Sequence, residues 1–297
     1  MNIKEIMSEG IDILKEENIQ EAKLKTRIVL SHILKEKKEY LMTHDEEIIS
    51  EDNVNKFLKC IEKLKKGLPV QYITNKKEFM KLDFYVDENV LIPQDDTEIL
   101  VQKALEKIEE IEKKHNNIKG DFKNEQIKVL DLCTGSGAIG ISIAKYSNIN
   151  NIQIYCSDIS EEALKIAKYN SIANNVDKNI NIIQSDLFKN ISGEKFDIIV
   201  SNPPYIRSKV ISSLDKEVQN EPILALDGGE DGLKFYKKII NNACEFLNKE
   251  GYLCLEIGYD QKEEVMFLIK EEAKYSENID NIKDLSGNDR VIVVKIK

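Results

Sequence analysis

The sequence predicts an α/β fold, a mainly parallel sheet covered by helices on both faces and preceded by a small helical unit. Three observations carry this expectation. From Ile127 onward, short apolar runs suited to buried strands alternate with amphipathic helical stripes, the pattern of parallel strands joined by helical crossovers. The first of those strands runs into a glycine-rich turn that opens a helix. Residues 1 to 75, in contrast, show helical periodicity throughout.

Within the helical unit, Ile3, Met7, Ile11 and Leu14 form one stripe, Ala22, Val29, Leu30 and Ile33 a second, and Val54, Phe57, Ile61 and Leu64 a third. Gly67 and Pro69 end the last helix. This unit carries 13 Lys and Arg against 14 Asp and Glu, so it is no basic arm for nucleic acid. His32 and His44 lack companions at metal-ligand spacing and read as packing or surface residues. Residues 76–92 read as a β-hairpin linker: Leu82, Phe84 and Val86 alternate, Asp87-Glu88-Asn89 turns, and Val90, Leu91 and Ile92 return. The second domain spans 93–297. Pro93 to Glu98 starts a helix with Asp and Thr as caps, and Leu100, Ala104, Ile108 and Ile111 give it a buried stripe. The polar run Glu112 to Gln126, which contains His115, reads as a surface loop. Six strands follow, at Lys128–Leu132, Ile152–Ser157, Ile180–Ser185, Phe196–Ser201, Tyr252–Ile257 and Arg290–Val294.

Composition narrows the function. A chain of 297 residues with 41% hydrophobic content can bury a sizeable core. A formal charge of −10 argues against a protein that lives on nucleic-acid backbone. The five cysteines, Cys60, Cys133, Cys156, Cys244 and Cys254, show no paired metal spacing and read as reduced thiols of a cytoplasmic protein without a bound metal. Met1 to Glu5 has no signal-peptide layout, and no apolar run reaches membrane-spanning length, so no membrane partner is expected.

The chemistry gathers at the carboxyl ends of successive strands, where an open parallel sheet holds its ligand. Asp131-Leu132-Cys133-Thr134-Gly135-Ser136-Gly137 follows the first strand; Gly135 and Gly137 would let the backbone approach a ligand, and Gly140 would let helix and strand pack. Asp158 ends the second strand, eighteen residues past Gly140, where an acid meets a ribose diol. Asp186 follows the third, with Leu187 and Phe188 beside it to cover an adenine ring. The fourth strand ends in Asn202-Pro203-Pro204-Tyr205. The prolines hold the corner extended, and it offers an amide, a fixed carbonyl and a ring to a planar NH2 group. Alone, each of these features could be a cap or a turn; the series points to a ligand site. A dinucleotide dehydrogenase would share the first two elements. Asp131 beside the loop suits the cationic groups of S-adenosyl-L-methionine and would repel a pyrophosphate, and hydride transfer leaves the Asn-Pro-Pro-Tyr corner unexplained.

These residues, with Gln184-Ser185-Asp186, Glu221-Pro222, Asp284 to Arg290, Pro69 to Ile73 and Leu91-Ile92-Pro93, resemble the bacterial release factor glutamine-N5 methyltransferases, the PrmC/HemK family. The likeness covers nearly the whole chain. It implies a Rossmann-like S-adenosylmethionine-dependent methyltransferase domain with a seven-stranded sheet, a small helical domain before it, and the glutamine of a Gly-Gly-Gln loop in class 1 peptide-chain release factors as substrate. It further implies cofactor contacts from Cys133, Thr134, Gly135, Ser136, Gly137, Asp158, Leu187 and Asn202, to which the residue chemistry above adds Asp131 and Asp186. Substrate contacts would come from Asn202, Pro203, Pro204 and Tyr205, with Asn202, Pro203 and Tyr205 as the catalytic set and a monomer as the working form. Three positions depart from the family pattern: Cys133 and Asn75 stand where Gly is usual, and Gln94-Asp95 replaces a usual Arg-Pro. The expected mechanism has the Asn202 oxygen and the Pro203 carbonyl accept the two N–H bonds of the substrate amide, with Tyr205 flanking its plane and no strong general base. The alternatives are a glutamine methyltransferase acting on a ribosomal protein, an adenine-N6 nucleic-acid methyltransferase, and a non-catalytic cofactor-binding scaffold.

Overall fold

Asn2 starts the first helix with a reciprocal cap. Its side chain accepts from the Glu5 backbone N–H while the Glu5 carboxylate accepts from Asn2. The computed structural model describes residues 1–117, 126–149 and 151–297. The chain divides into two units, Met1–Lys76 with Ser213–Glu221, and Lys77–Ser212 with Pro222–Lys297. The first unit is built from α1 (Ile3–Glu16), α2 (Ala22–Leu34), α3 (Tyr40–Thr43), α4 (Glu51–Lys65) and α5 (Val70–Thr74). Ile3, Ile6, Leu14, Val29, Leu30, Phe57, Ile61 and Leu64 close its core. The first stripe is displaced from expectation: Ile6 and Gly10 are buried, whereas Met7 and Ile11 are half-buried. Gly10 is the reason, because a Cβ there would lie 2.6 Å from the Phe57 ring. His32 and His44 are exposed, and His44 stacks on Tyr40.

The second unit begins with a hairpin of β1 (Lys77–Phe79) and β2 (Leu82–Phe84). The expected turn at Asp87-Glu88-Asn89 is present, with the Val90 N–H donating to the Asp87 carbonyl at 3.1 Å, but it joins no pair of strands. The chain reverses at Met80-Lys81, both with positive φ, a two-residue turn whose twist matches that of the paired strands. A short 3-10 turn over Asp95–Thr97 leads into α6 (Glu98–Asn117), whose Leu100, Ala104, Ile108 and Ile111 are buried as expected. The expected loop is shortened, since residues 112–117, with His115, continue the helix. A Glu110–Lys114 ion pair one turn apart supports that extension. Most of the rest of that run lies outside the described residues.

Then follow β3 (Ile127–Leu132), α7 (Ala138–Tyr146), β4 (Ile152–Asp158), α8 (Glu161–Ala173), β5 (Ile180–Gln184) and β6 (Phe196–Ser201). After the excursion that carries α9 (Lys216–Gln219) come α10 (Ile223–Leu226), α11 (Lys234–Phe246), β7 (Leu247–Glu256), α12 (Lys262–Glu271), β8 (Tyr275–Lys283) and β9 (Asp289–Ile296). Seven strands order as β5-β4-β3-β6-β7-β9-β8. The first five are mutually parallel, and β9 is antiparallel to both neighbours. Adjacent residues of β3, Val129 and Leu130, enter different cores. One lies against α6 and α7, the other against α11 and α12, so both faces are covered. Strand order reverses between β3 and β6, which opens a crevice at their carboxyl ends.

Residues 213–221 group with the helical unit, not with the domain expected to span 93–297. The Lys25 ammonium, nearly buried, pairs with Glu217. Asn220 donates from its side-chain amide to the Gly67 carbonyl at 3.1 Å and to the Lys216 carbonyl at 2.8 Å.

Candidate active site

Asp131 is the penultimate residue of β3, and its carboxylate Oδ2 accepts from the Thr134 hydroxyl at 2.5 Å and from the Gly140 N–H at 2.9 Å. It has no exposed surface, and burial pushes its pKa up to about 7 against those two hydrogen bonds. Asp131 thus lies beneath the glycine loop and pins its two ends through Oδ2. Gly140 must be glycine for packing. A Cβ there would lie 2.6 Å from Cys156 Sγ and 3.0 Å from Asp131 Oδ2. Gly135 faces open space with φ +54, a backbone that glycine adopts without strain and that leaves its N–H exposed to a partner. That partner is Asp158 at the end of β4, which accepts from Gly135 N–H at 2.9 Å and from Ser160 N–H at 3.0 Å. Burial raises the Asp158 pKa and the backbone donors oppose the rise.

A cavity of about 270 Å³ lies over these strand ends. Cys133, Gly135, Asp158, Asp186, Leu187, Asn202 and Pro204 line it, all anticipated from sequence. Thr134, Ser136 and Gly137 stand behind the wall with Asp131, while Pro203 and Tyr205 fall outside the lining. Asp186 pairs with Lys189 at 2.6 Å, which holds its carboxyl below the usual range, and Lys238 and Lys234 of α11 add to the effect. Cys133 has φ +60, and burial followed by the Asp158 charge drives its thiol pKa upward, so the side chain is a neutral wall.

The corner after β6 is held from behind. The Asn202 side-chain nitrogen donates to the Thr97 hydroxyl at 3.3 Å, which turns the side-chain oxygen away from Thr97. The Tyr205 hydroxyl points to Glu256 Oε1 at 3.4 Å, and its carbonyl accepts from Gln261 Nε2 at 3.0 Å. The Tyr205 ring is thus engaged with groups beneath the corner. Glu256 ends β7 at 2% exposure. Burial pushes its pKa up to about 7, Asp96 adds to the rise, and Thr97, Arg290 and Tyr205 oppose it. Sequence reasoning assigned no role to Thr97 beyond capping, nor any to Glu256, to Phe235, Lys234 and Lys238 of α11, or to Leu224 and Ala225 of α10. Glu256 carried a signal: it is a lone acid at the carboxyl end of an apolar strand, the position that marked Asp158. The α10 and α11 residues carried none, since their place on the cavity wall depends on the chain's return from α9. Gln94 donates to the Ile92 carbonyl at 2.9 Å and Asp95 pairs with Lys77, so the segment that departs from the family pattern is occupied locally.

Among the described residues, no group of three or more His, Cys, Asp or Glu side chains could hold a metal ion, and no helix is long and apolar enough to cross a membrane. The strand order and the strand-end cavity are those of a Rossmann-like methyltransferase. A methyltransferase from Pyrococcus furiosus superposes with a TM-score of 0.51 at 19% identity, covering 73% of this chain and 90% of that one, a likeness of fold. Family models described as "Methyltransferase small domain" and "PrmC N-terminal domain" match residues 116–214 and 5–74. A release factor glutamine methyltransferase of Clostridium acetobutylicum is 42% identical over 296 residues, 99% of this chain and 98% of that protein. One of Clostridium botulinum is 38% identical over 98% of both chains. The chain belongs to the release factor glutamine methyltransferase family, as the resemblance of its motifs implied.

Proposed function

We propose that the chain transfers the methyl group of S-adenosyl-L-methionine to the side-chain amide nitrogen of the Gly-Gly-Gln glutamine in class 1 peptide-chain release factors. The observation that carries this reading is Asn202. It stands on the cavity wall at the end of β6, with its nitrogen tied to Thr97 and its oxygen turned elsewhere. The cavity suits the cofactor on its donor set. Gly135 gives open room for close approach, Asp158 stands at a ribose position, and Leu187 and Asp186 offer an apolar cover and an acceptor for adenine. When bound, the cofactor supplies an electrophilic methyl on a sulfonium. The amide nitrogen is a poor nucleophile because its lone pair is delocalised into the carbonyl, so the chain's contribution is placement. The Asn202 oxygen and the Pro203 carbonyl accept the two amide protons, aim the nitrogen into the cavity and meet the positive charge that grows on it. The methylated amide then sheds its extra proton to water or to one of those oxygens. The names of the curated relatives favour this substrate over a ribosomal protein or adenine.

Incubation with methyl-labelled S-adenosylmethionine and a release factor, a ribosomal protein or DNA tests the substrate. Label is expected on the release-factor glutamine. Asn202→Ala is expected to lower transfer by about 10²-fold or more, the scale for losing a group that meets transition-state charge. A rate within a few-fold of the unaltered chain overturns the reading.

A further inference from the structure

Gln261 stands just before α12, where a helix commonly carries a short polar side chain that caps its own first turn. The Gln261 side chain makes no such bond. It is 2% exposed and is spent on backbone groups elsewhere. Nε2 donates to the Tyr205 carbonyl at 3.0 Å and to the Gly232 carbonyl, between α10 and α11, at 3.2 Å. Oε1 accepts from the Gly258 N–H at 3.0 Å. Two carbonyls demand a donor and one N–H demands an acceptor, so these three partners fix which way the amide faces. The fit is close: a Cβ at Gly232 would lie 2.6 Å from both the Tyr205 carbonyl oxygen and Gln261 Nε2, and one at Gly258 2.7 Å from Gln261 Oε1.

We infer that Gln261 is a positioning residue for methyl transfer, holding Tyr205 so that the Asn202 side chain and the Pro203 carbonyl stay aimed at the substrate amide. This rests on the proposed transfer to glutamine. At the other end of the corner, the Ser201 hydroxyl donates to the Leu132 carbonyl at 2.8 Å. Between these two anchors stand Pro203 and Pro204, whose rings fix φ and leave little torsional freedom. A displacement of Tyr205 is therefore passed back to the Pro203 carbonyl. Transfer depends steeply on such placement, since a shift of about 1 Å at a reacting group can cost about 10²-fold in rate. The cavity walls at the ends of β3, β4 and β5 take no part in the Gln261 link. Its loss should slow transfer without loosening the cofactor.

The test compares the unaltered chain with Gln261→Ala and Gly258→Ala, by single-turnover methyl transfer to a release factor and by equilibrium titration with S-adenosylmethionine. Gly258→Ala keeps Gln261 but sets a methyl against its Oε1, and Gly258 has no positive φ to strain, so the flexible amide gives way and not the fold. Gln261→Ala should slow transfer by about tenfold to 10²-fold, and Gly258→Ala should slow it in the same direction, with cofactor affinity unmoved in both. A folded Gln261→Ala that transfers as fast as the unaltered chain overturns the inference and leaves the functional reading standing. So does a loss of cofactor affinity equal to the loss of rate, because Gln261 would then serve the fold at large. Where Gln261→Ala does not fold, Gly258→Ala decides by the same two readings, and failure of both to fold overturns the inference. An unaltered chain that labels no release-factor glutamine overturns the functional reading, and this inference with it.

Discussion

Gly135 and Gly140 sit in one loop and answer to different physics. A methyl at Gly140 meets a sulfur, a carboxylate and an isoleucine of β4 at 2.6 to 3.1 Å, so Gly140→Ala is expected to destabilise the fold by about 1–3 kcal/mol, the cost of overpacking a core. A methyl at Gly135 meets nothing within 4 Å and projects into open space. Gly135→Ala should therefore cost about 1 kcal/mol of backbone strain and act chiefly on cofactor affinity. Urea denaturation and cofactor titration of the two variants separate these outcomes, and equal loss in both assays for both variants would contradict the distinction. The buried acids give a second check. Folding raises the carboxyl pKa of Asp131 from 3.8 and of Glu256 from 4.5, each to about 7. The native state then holds protons that the unfolded chain has lost, so stability falls as pH rises from about 4 to about 7. Glu110, held at about 2 by Tyr252 and Lys114 against desolvation, already contributes fully above its unfolded value of 4.5 and does not disturb that window. The melting temperature of the cofactor-free protein should decline between pH 5 and 7, and Asp131→Asn combined with Glu256→Gln should flatten the decline.

Turns and strands were readable from sequence in proportion to how fully a residue's chemistry matches its local task. The six apolar strands β3, β4, β5, β6, β7 and β9 are rich in Ile, Leu and Val and stand where the pattern put them, most fully buried in β6 and least in β5, where Ile180 alone is buried. The seventh, β8, reads Tyr-Ser-Glu-Asn-Ile-Asp-Asn-Ile-Lys and lies at the sheet edge with Tyr275 its only buried residue. Its pairing comes from β9, and no apolar run announces it. The hairpin turn was misplaced because Met80 and Lys81 hold the left-handed conformation without the glycine or asparagine that usually signals it. Asn75 and Cys133 also adopt positive φ at positions where the family usually has glycine, so those two departures preserve the backbone at a cost in strain. Lys81 is exposed, and Lys81→Gly should stabilise the second unit by up to about 1 kcal/mol by relieving that strain. An unchanged or lowered denaturation midpoint would argue that the lysine's own contacts outweigh the backbone term.

Along the whole chain, the corner Asn202–Tyr205 and the lining residues Pro222 and Leu224 stand on either side of the excursion to α9. The sites at the strand ends were readable because parallel topology forces them together. The excursion was not, since Glu217 and Asn220 look like ordinary surface residues until Lys25 and Gly67 are seen beside them. Lys25→Ala should destabilise the helical unit by about 1–3 kcal/mol, since it removes a nearly buried partner of a half-exposed carboxylate. Asn220→Ala should cost about 1 kcal/mol. Chemical denaturation followed by a probe in residues 1–76 measures both, and neither loss is expected if α9 merely rests on the surface.

The Lys25–Glu217 pair also bears on inheritance. A recombinant that takes residues 1–76 from one relative and the remainder from another splits a single folding unit across two parents, because α9 travels with the wrong half. Exchange is expected to succeed only when 213–221 moves together with the amino-terminal segment. Substitutions at position 25 should then track those at 217 over evolutionary time, although 192 residues separate them along the chain.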